Sequence, residues 1–249
     1  MEDETILEAS LEKIKNSEGW ARADEIANLI KVIDEHSGIL RRAMKRYPYL
    51  ELRNVFSDEL CYPEDSEEYL RANHWTSWND NGWEYIWKRL MIETMIVYDN
   101  MPDGAKESFR ILDTKEKYGS LRISFSGYNE ELNTLETEAS LLSQITCLNC
   151  GKVSHDSKGN ALIYTTRGWI VPYCRKCFDN DWSRSQKNMT KKEKHELREH
   201  RALCREVYKQ FRTEHWSRDD HHYTIWKYQY GWVYPVKTVP IIDDNKKED

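Results

Sequence analysis

Apolar residues recur every three to four positions through residues 4–47, the spacing that places them on one face of an α-helix. Three helices are predicted there: residues 4–16, residues 21–36, and a short helix that ends before Pro48, because proline cannot continue it. Residues 1–55 are therefore expected to form a helical N-terminal region. The residues predicted to face inward are Ile6, Leu7, Leu11, Ile14, Ile26, Leu29, Ile30, Ile33, Ile39, Leu40, Ala43 and Met44.

The next segment loses this periodicity before a strongly apolar helix begins. Residues 56–82 contain a proline, a run of acids and an Asn-Asp-Asn-Gly turn sequence, so they are predicted to be a loop. Trp75 and Trp78 lie within this loop, and we therefore expect it to pack against the core. A helix is predicted over residues 83–97, where apolar side chains again share one face.

Two stretches then alternate apolar and polar residues, which is the period of a β-strand. They lie around residues 109–111 and 121–125, and the glycine-containing segment 115–120 connects them. This order predicts a β-hairpin. A helix is predicted over residues 129–145, capped by the asparagine at its start. Residues 56–145 are thus expected to form an α+β core.

The C-terminal part of the chain is predicted to contain both strands and a long helix. Two short strands are expected over residues 161–166 and 169–173. A capping-box sequence opens a helix over residues 190–214, and alternating aromatic residues predict a final pair of strands over 223–241. Residues 181–249 would then comprise a basic helix, terminal strands and a charged tail. The fold class is α+β.

Composition narrows the class of protein. The 249 residues are 32% charged, the net charge is −6, and the mean hydropathy is −0.86. No apolar run is long enough to span a membrane, and the acidic N-terminus resembles neither a secretory signal nor a transit peptide. We therefore expect a cytoplasmic protein in a reducing compartment. Charge is uneven: residues 1–36 carry ten acids against four basic residues, whereas residues 183–214 carry ten basic residues against five acids.

Four cysteines are the strongest chemical signal. They form two C-x-x-C pairs with 23 residues between the pairs: Cys147, Cys150, Cys174 and Cys177. Two such pairs make a closed tetrahedral thiolate site for one Zn²⁺, with Zn–S bonds near ~2.3 Å, and iron is the alternative metal. A closed site leaves no position for substrate, so the metal is expected to be structural. The order of cysteine pair, hairpin and cysteine pair predicts an inserted zinc ribbon over residues 146–180.

Basic residues near the predicted ribbon form a candidate surface for nucleic acid or another partner. They are Lys152, Arg167, Arg175 and Lys176 on the ribbon, and Lys191, Lys194, Arg198, Arg201 and Arg205 on the predicted basic helix 191–212. Such residues could contact phosphates. The alternative is a solvated face, or a face that docks on the acidic N-terminal helices.

Catalytic signatures are missing from the sequence. It has no phosphate-binding glycine loop, no nucleophile elbow and no paired-carboxylate motif, so no catalytic residues are assigned. Asp219, Asp220, His221 and His222 could bind a divalent ion in a metal-dependent nuclease, but we favour the alternative, a polar turn between the long helix and the final strands.

Tryptophan clusters are expected to supply much of the core, because aliphatic residues are few. The residues concerned are Trp75, Trp78, Trp83, Trp87, Trp226 and Trp232. At least one of them could instead stack on bases or anchor a protein partner.

The predicted hairpin carries a recognisable motif. The segment Lys115-Glu-Lys-Tyr-Gly-Ser-Leu-Arg122 precedes a helix, a C-x-x-C-G sequence, a Gly-Trp pair and the second C-x-x-C. This order resembles a family of small bacterial and tailed-phage proteins with a K-E-K-[FY]-G-x-L-R strand followed by a four-cysteine zinc ribbon. The resemblance covers roughly residues 82–178. It implies this architecture, the metal and a phage or bacterial origin, and it implies no activity.

The motif also has a physical interpretation. Gly119 permits a positive φ in the hairpin connection. Arg122 lies in mid-strand and faces away from its apolar neighbours, so we expect a salt bridge to Glu84, Glu136 or Glu138 on the flanking helices.

A binding function follows as the first hypothesis. The chain is expected to be a non-enzymatic, zinc-stabilised protein that engages another protein, as a phage-encoded modulator or inhibitor of a host or defence factor. The alternative is a nucleic-acid-binding accessory protein that uses the basic helix and the ribbon. A metal-dependent nuclease is the remote third hypothesis.

Overall fold

The computed structural model of the chain describes residues 2–54, 56–127, 129–153, 161–165, 171–185, 190–192, 194–195, 208–211, 214–218, 222–229 and 232–240. Within these residues the protein has eight α-helices and eight β-strands, so the α+β class is confirmed.

The three N-terminal helices are confirmed. They are α1 (Glu2–Lys15), α2 (Gly19–Glu35) and α3 (Ser37–Arg46), and a 3₁₀ turn over Pro48–Leu50 follows. The predicted apolar stripes are buried, with one exception. Ile6 is exposed, because the buried face of α1 consists of Leu7, Leu11 and Ile14, at the i, i+4, i+7 spacing of one helical face.

The segment predicted to be a loop contains two short helical elements. These are α4 (Glu67–Arg71) and a 3₁₀ turn over His74–Thr76, so the loop prediction is wrong there. Local capping explains both: the Ser66 side chain accepts a hydrogen bond from the Tyr69 N–H of α4, and an asparagine caps the 3₁₀ turn in the same way. The segment packs against the core, as expected from its tryptophans.

Helix α5 (Glu84–Asp99) lies at the centre of the core and is buried on nearly every side. Its Lys88 is only 2% exposed and pairs with two carboxylates, Asp34 of α2 at 2.8 Å and Glu84 one turn earlier at 2.5 Å. A buried ammonium group needs such partners, since a charge without them is strongly disfavoured in a low-dielectric interior. A short helix that the sequence did not predict, α6 (Asp103–Ser108), follows.

The predicted hairpin is confirmed as two antiparallel strands, β1 (Ile111–Lys117) and β2 (Ser120–Phe125). Its connection is shorter than predicted and consists only of Tyr118 and Gly119, both with positive φ (53° and 77°). Helix α7 (Glu130–Ile145) packs against β2, and its Ser143 hydroxyl accepts a hydrogen bond from a β2 backbone N–H at 2.8 Å.

A second sheet lies beside the cysteines. Strand β3 (Ala161–Thr165) pairs antiparallel with β4 (Pro172–Tyr173) on one edge and with β5 (Tyr208–Phe211) on the other. The predicted hairpin between the cysteine pairs is therefore present. Helix α8 (Arg175–Ser185), which the sequence did not predict, begins directly after the third cysteine.

The prediction of a single helix over 190–214 is wrong at its C-terminal end. A helical hydrogen bond from the Lys194 N–H to the Thr190 carbonyl (3.0 Å) agrees with its start, and residues 196–207 lie outside the described residues. Residues 208–211 form β5 because β3 offers an unpaired edge to them. The apolar spacing of this segment fits a helix, and pairing with β3 overrides that local preference. The prediction of a basic helix over 191–212 is likewise wrong over residues 208–211, which form β5.

The predicted terminal strands are confirmed and belong to a three-stranded antiparallel sheet. It contains β6 (Glu214–Arg218), β7 (His222–Gln229) and β8 (Trp232–Pro240) in that order, and β8 lies beside α7. Among the described residues, no helix is long and apolar enough to cross a membrane.

Candidate metal centre and exposed surfaces

The four cysteine sulfurs converge on one point. All four Sγ atoms lie within 4.8 Å of one another, and those of Cys150 and Cys174 are 3.7 Å apart. A tetrahedron of thiolates with metal–sulfur bonds near ~2.3 Å places its sulfurs about 3.8 Å apart. The arrangement can therefore hold one metal ion through four thiolates.

The first cysteine pair forms a tight turn. The Gly151 N–H donates to the Cys147 carbonyl at 2.9 Å, and the Cys147 N–H donates to the Lys152 carbonyl at 3.1 Å. Gly151 adopts a φ of +71°, a conformation that a side chain disfavours. The turn thereby directs both thiols of the pair to the same side.

The second pair lies where a strand meets a helix. Cys174 directly follows β4, and Cys177 lies in the first turn of α8, where free backbone N–H groups favour negative charge. The two turns are also joined directly. The Leu148 N–H donates to the Pro172 carbonyl at 2.9 Å, and the Asn149 side-chain amide donates to the sulfur of Cys177 at 3.3 Å.

Burial distinguishes the four thiols. Cys147, Cys174 and Cys177 are buried, whereas Cys150 is exposed. Burial raises the pKa of the Cys147 thiol to about 12, although backbone N–H groups of residues 174, 150 and 149 donate to its sulfur and oppose the rise. A bound cation supplies the charge that makes a buried thiolate favourable. The donor set is thus complete for a metal ion and poorly suited to free thiolates.

A glycine on the core holds the first turn in place. The Gly82 N–H donates to the Leu148 carbonyl at 2.5 Å. A Cβ atom at position 82 would lie 1.9 Å from the Cys147 carbonyl oxygen and 2.3 Å from the Gly151 nitrogen. The next residue, Trp83, donates its indole N–H to the Thr146 carbonyl at 3.1 Å. The metal centre therefore rests on the helical core, and only a residue without a side chain fits at the contact.

The candidate basic surface is only partly assembled in the described residues. Lys152, Arg175 and Lys176 are exposed near the cysteines, and Arg175 pairs with Asp179 at 3.6 Å. Lys191 is exposed and Lys194 is half-buried. The remaining candidates, Arg167, Arg198, Arg201 and Arg205, lie outside the described residues.

The predicted nuclease cluster lies mostly outside the described residues and stays a prediction. Asp219, Asp220 and His221 lie outside the described residues, and His222 begins β7 opposite Pro240.

The tryptophans near the first turn are core residues. Trp75, Trp83 and Trp87 are buried, and Trp78 packs partly buried against the same core. Trp226 lies in β7 and Trp232 in β8, and their side chains are outside the described part. A further tryptophan outside these clusters, Trp20 at the start of α2, is exposed.

A hydrogen-bonded turn that the sequence did not predict exposes a phenylalanine. Phe56 is 96% exposed, and the Asn54 side chain accepts hydrogen bonds from the Phe56 and Ser57 N–H groups at 2.8 and 3.2 Å. The Asn54 N–H donates to the Glu59 carbonyl at 2.9 Å and closes the turn. Asparagine at the first position of such a turn is a signal that could have identified it. We call residues 54 and 56–59 the Phe56 turn.

Two arginines hold this turn: Arg53, which directly precedes it, and Arg110, which directly precedes β1. Arg110 donates to both carboxylate oxygens of Asp58, at 3.0 and 2.8 Å, and Arg53 donates to the Asp58 carbonyl at 2.8 Å. The Arg110 hydrogen bonds hold the pKa of Asp58 below its usual range. Asp58 has a φ of +56°, which costs a residue with a side chain about 1 kcal/mol. The two arginines offset that strain.

The structure distinguishes two of the acids predicted to pair with Arg122. Burial raises the pKa of Glu136 and the charge of Arg122 opposes this rise, so Glu136 is the acid that Arg122 influences. Glu84 is engaged instead with Lys88.

Comparison of the chain with family models, curated proteins and solved structures gives no match in any of the three.

Proposed function

We propose that this chain is a non-enzymatic binding protein, stabilised by one structural Zn²⁺, that engages another protein through the Phe56 turn. The observation that carries the proposal is a nearly fully exposed phenylalanine on a turn that Asn54 closes from within and that Arg53 and Arg110 hold from outside.

Zinc is the metal that this donor set favours. Four thiolates in a tetrahedral arrangement are typical of structural zinc, and a closed shell leaves no position for water or substrate. Asn149, which donates to the Cys177 sulfur, and the backbone N–H groups on the Cys147 sulfur would delocalise the negative charge of the bound cluster. Such a centre stabilises a fold and leaves the chemistry of binding to other surfaces.

The Phe56 turn has the properties of a protein-binding anchor. Aromatic residues dominate the binding free energy of many interfaces when they enter a pocket of the partner. Ordering a flexible anchor costs affinity, and the hydrogen bonds of Asn54 and Arg110 have already ordered this one. Leu112, about half exposed at the start of β1, and Asp58 line one shared cavity of about 90 Å³ beside the turn. Phe56 and Leu112 would give an apolar contact, and Asp58 would place a charge at its edge.

The resemblance of the hairpin and cysteine motifs to phage and bacterial proteins directs the search for the partner. Under that resemblance, the partner is a host or defence protein of a bacterium, and the chain acts as its modulator or inhibitor.

Affinity capture on zinc-loaded full-length protein tests the proposal. The bait is incubated with lysate of the source cells, and any protein retained at one-to-one stoichiometry is purified and titrated by calorimetry. We expect the Phe56→Ala variant to lose at least ~2 kcal/mol of binding free energy, as an anchor residue does, with unchanged thermal stability because the side chain is exposed.

Trp20→Ala is the matched control, since it removes another exposed aromatic residue, at the start of α2 and outside the Phe56 turn. Binding should survive this change. The proposal is wrong if Phe56→Ala binds the purified partner as tightly as the wild type, or if no protein is retained at stoichiometric amounts.

A further inference from the structure

The hairpin has one uncovered face. Antiparallel register places Asp113 opposite Ser124 and Lys115 opposite Arg122, and all four residues are exposed. Lys117 lies on the same side, because it follows Lys115 by two positions. The opposite side carries the buried apolar residues of β2 and packs on α7. We call Asp113, Lys115, Lys117, Arg122 and Ser124 the hairpin outer face.

This face carries a like-charge pair that the hairpin does not need. Lys115 and Arg122 are direct cross-strand partners, and like charges in that position destabilise a strand pair. One carboxylate, Asp113, pairs with Lys115, and the charge of Arg122 also acts on Glu136 of α7, so three cations stand against two acids. Lys117 directs its ammonium group to the ring of Tyr118 at 5.6 Å from the centroid. The face is thus basic in a protein whose net charge is negative.

The tip of the hairpin carries a second local cost. A two-residue turn in which both residues have positive φ favours Asn-Gly, because asparagine tolerates the left-handed conformation. Here the first position is Tyr118, with a φ of +53° and a side chain that is 71% exposed. The exposed ring gains little burial in return. Backbone strain of this kind, when the fold does not require it, points to a functional role of the side chain.

We propose that the hairpin outer face and Tyr118 bind a single-stranded nucleic acid. Lys115, Lys117 and Arg122 contact phosphates, and Tyr118 stacks on an unpaired base. Cations along an exposed strand pair, next to an accessible aromatic ring, are the combination by which proteins bind single strands without reading sequence. A duplex offers phosphates but no free base face, so the exposed ring favours the single strand. This binding is independent of the protein-binding surface at Phe56.

Fluorescence anisotropy with labelled oligothymidylate and oligouridylate of about 20 nucleotides, longer than the site of one such module, tests the proposal on full-length, zinc-loaded protein. Three phosphate contacts predict a slope of about −2 for log affinity against log salt, so affinity should fall about 20-fold between ~50 and ~200 mM salt. Replacing Lys115, Lys117 and Arg122 together by Gln should weaken binding at least ~10-fold at ~50 mM salt and remove most of that slope.

Tyr118→Asn separates binding from stability. Because asparagine suits the turn better, we expect this variant to unfold at a higher temperature than the wild type. Loss of the stacked ring should nevertheless weaken oligonucleotide binding at least ~5-fold. A residue with a purely structural role could not change the two measurements in these opposite directions.

A matched control replaces three exposed cations elsewhere by Gln: Lys13, Lys31 and Arg71. The net charge changes equally, and binding should fall less than ~2-fold, since these residues make no phosphate contact. The proposal is overturned if neither oligonucleotide binds at ~50 mM salt, or if the control variant loses as much affinity as the hairpin variant. It is also overturned if polyglutamate binds as tightly as the oligonucleotides and Tyr118→Asn leaves their binding unchanged, because the face then recognises an acidic protein.

Discussion

Replacing Gly82 by alanine should detach the metal centre from the core. The added methyl group would overlap three backbone atoms of the first cysteine turn: the Cys147 carbonyl oxygen at 1.9 Å, the Gly151 nitrogen at 2.3 Å and the Cys150 nitrogen at 2.9 Å. Backbone atoms cannot rotate away as the end of a side chain can. The turn that carries two of the four thiolates must therefore move.

The size of the effect follows from what that movement breaks. Overpacking a tight contact costs about 1–3 kcal/mol. The hydrogen bond from the Gly82 N–H to the Leu148 carbonyl is lost with it, at about 1 kcal/mol. The sum, about 2–4 kcal/mol, corresponds to a zinc affinity weaker by about 30- to 1000-fold, since 1.4 kcal/mol is a factor of ten.

A competition titration with a chromophoric chelator measures this affinity, and thermal unfolding of the zinc-loaded protein measures the loss of stability. Gly104→Ala is the control, because no atom lies within 4 Å of a Cβ at that position in α6 and alanine favours a helix. The reasoning is refuted if Gly82→Ala binds zinc within ~3-fold of the wild type and unfolds at the same temperature as Gly104→Ala.

Three further changes test other parts of the structure. Metal chelation, or Cys174→Ser, should unfold residues 145–180, and unchanged amide hydrogen exchange in the described part of that segment would contradict this. Burial lowers the pKa of His74 to about 4, below its ordinary value of 6.5, so the unfolded state binds more protons between these values. The free energy of unfolding should therefore fall by about 3 kcal/mol as pH drops from 6.5 to 4. Urea titrations should show a smaller fall for His74→Gln, because this variant lacks the imidazole. Equal falls in the variant and the wild type would refute the assignment to His74. Lys88→Met should destabilise the protein by about 2–4 kcal/mol in denaturant titrations, because two carboxylates lose their common partner, and an effect below ~0.5 kcal/mol would show that they are adequately solvated.

The sequence was sufficient to predict those elements whose structure depends on interactions between neighbouring residues. The stripes of α1 to α3, the alternation in β1 and β2 and the cap of α7 are all expressed over a few neighbouring residues. The cysteine cluster could be predicted for a different reason. One metal ion needs four thiolates, so the two C-x-x-C pairs must come together although 23 residues separate them.

Non-local contacts account for what the sequence did not reveal. Residues 208–211 form a strand only because the edge of β3 is available to them, and their own periodicity also fits a helix. Gly82 reads as an ordinary turn glycine, and its role arises from a carbonyl group 65 positions later. The tertiary fold, and not any motif, makes this glycine a part of the metal centre.

The contact between Gly82 and the first cysteine turn also bears on the order in which the protein assembles during synthesis. The surface around Gly82 and the Cys147–Cys150 pair leave the ribosome before the second pair, which follows after 23 more residues. At about 5–20 residues per second, that interval lasts about 1–5 s. During it, the core residues around Gly82 can already hold two thiols in their final geometry. The core then acts as a template for metal capture, and arrival of Cys174 and Cys177 completes the site last.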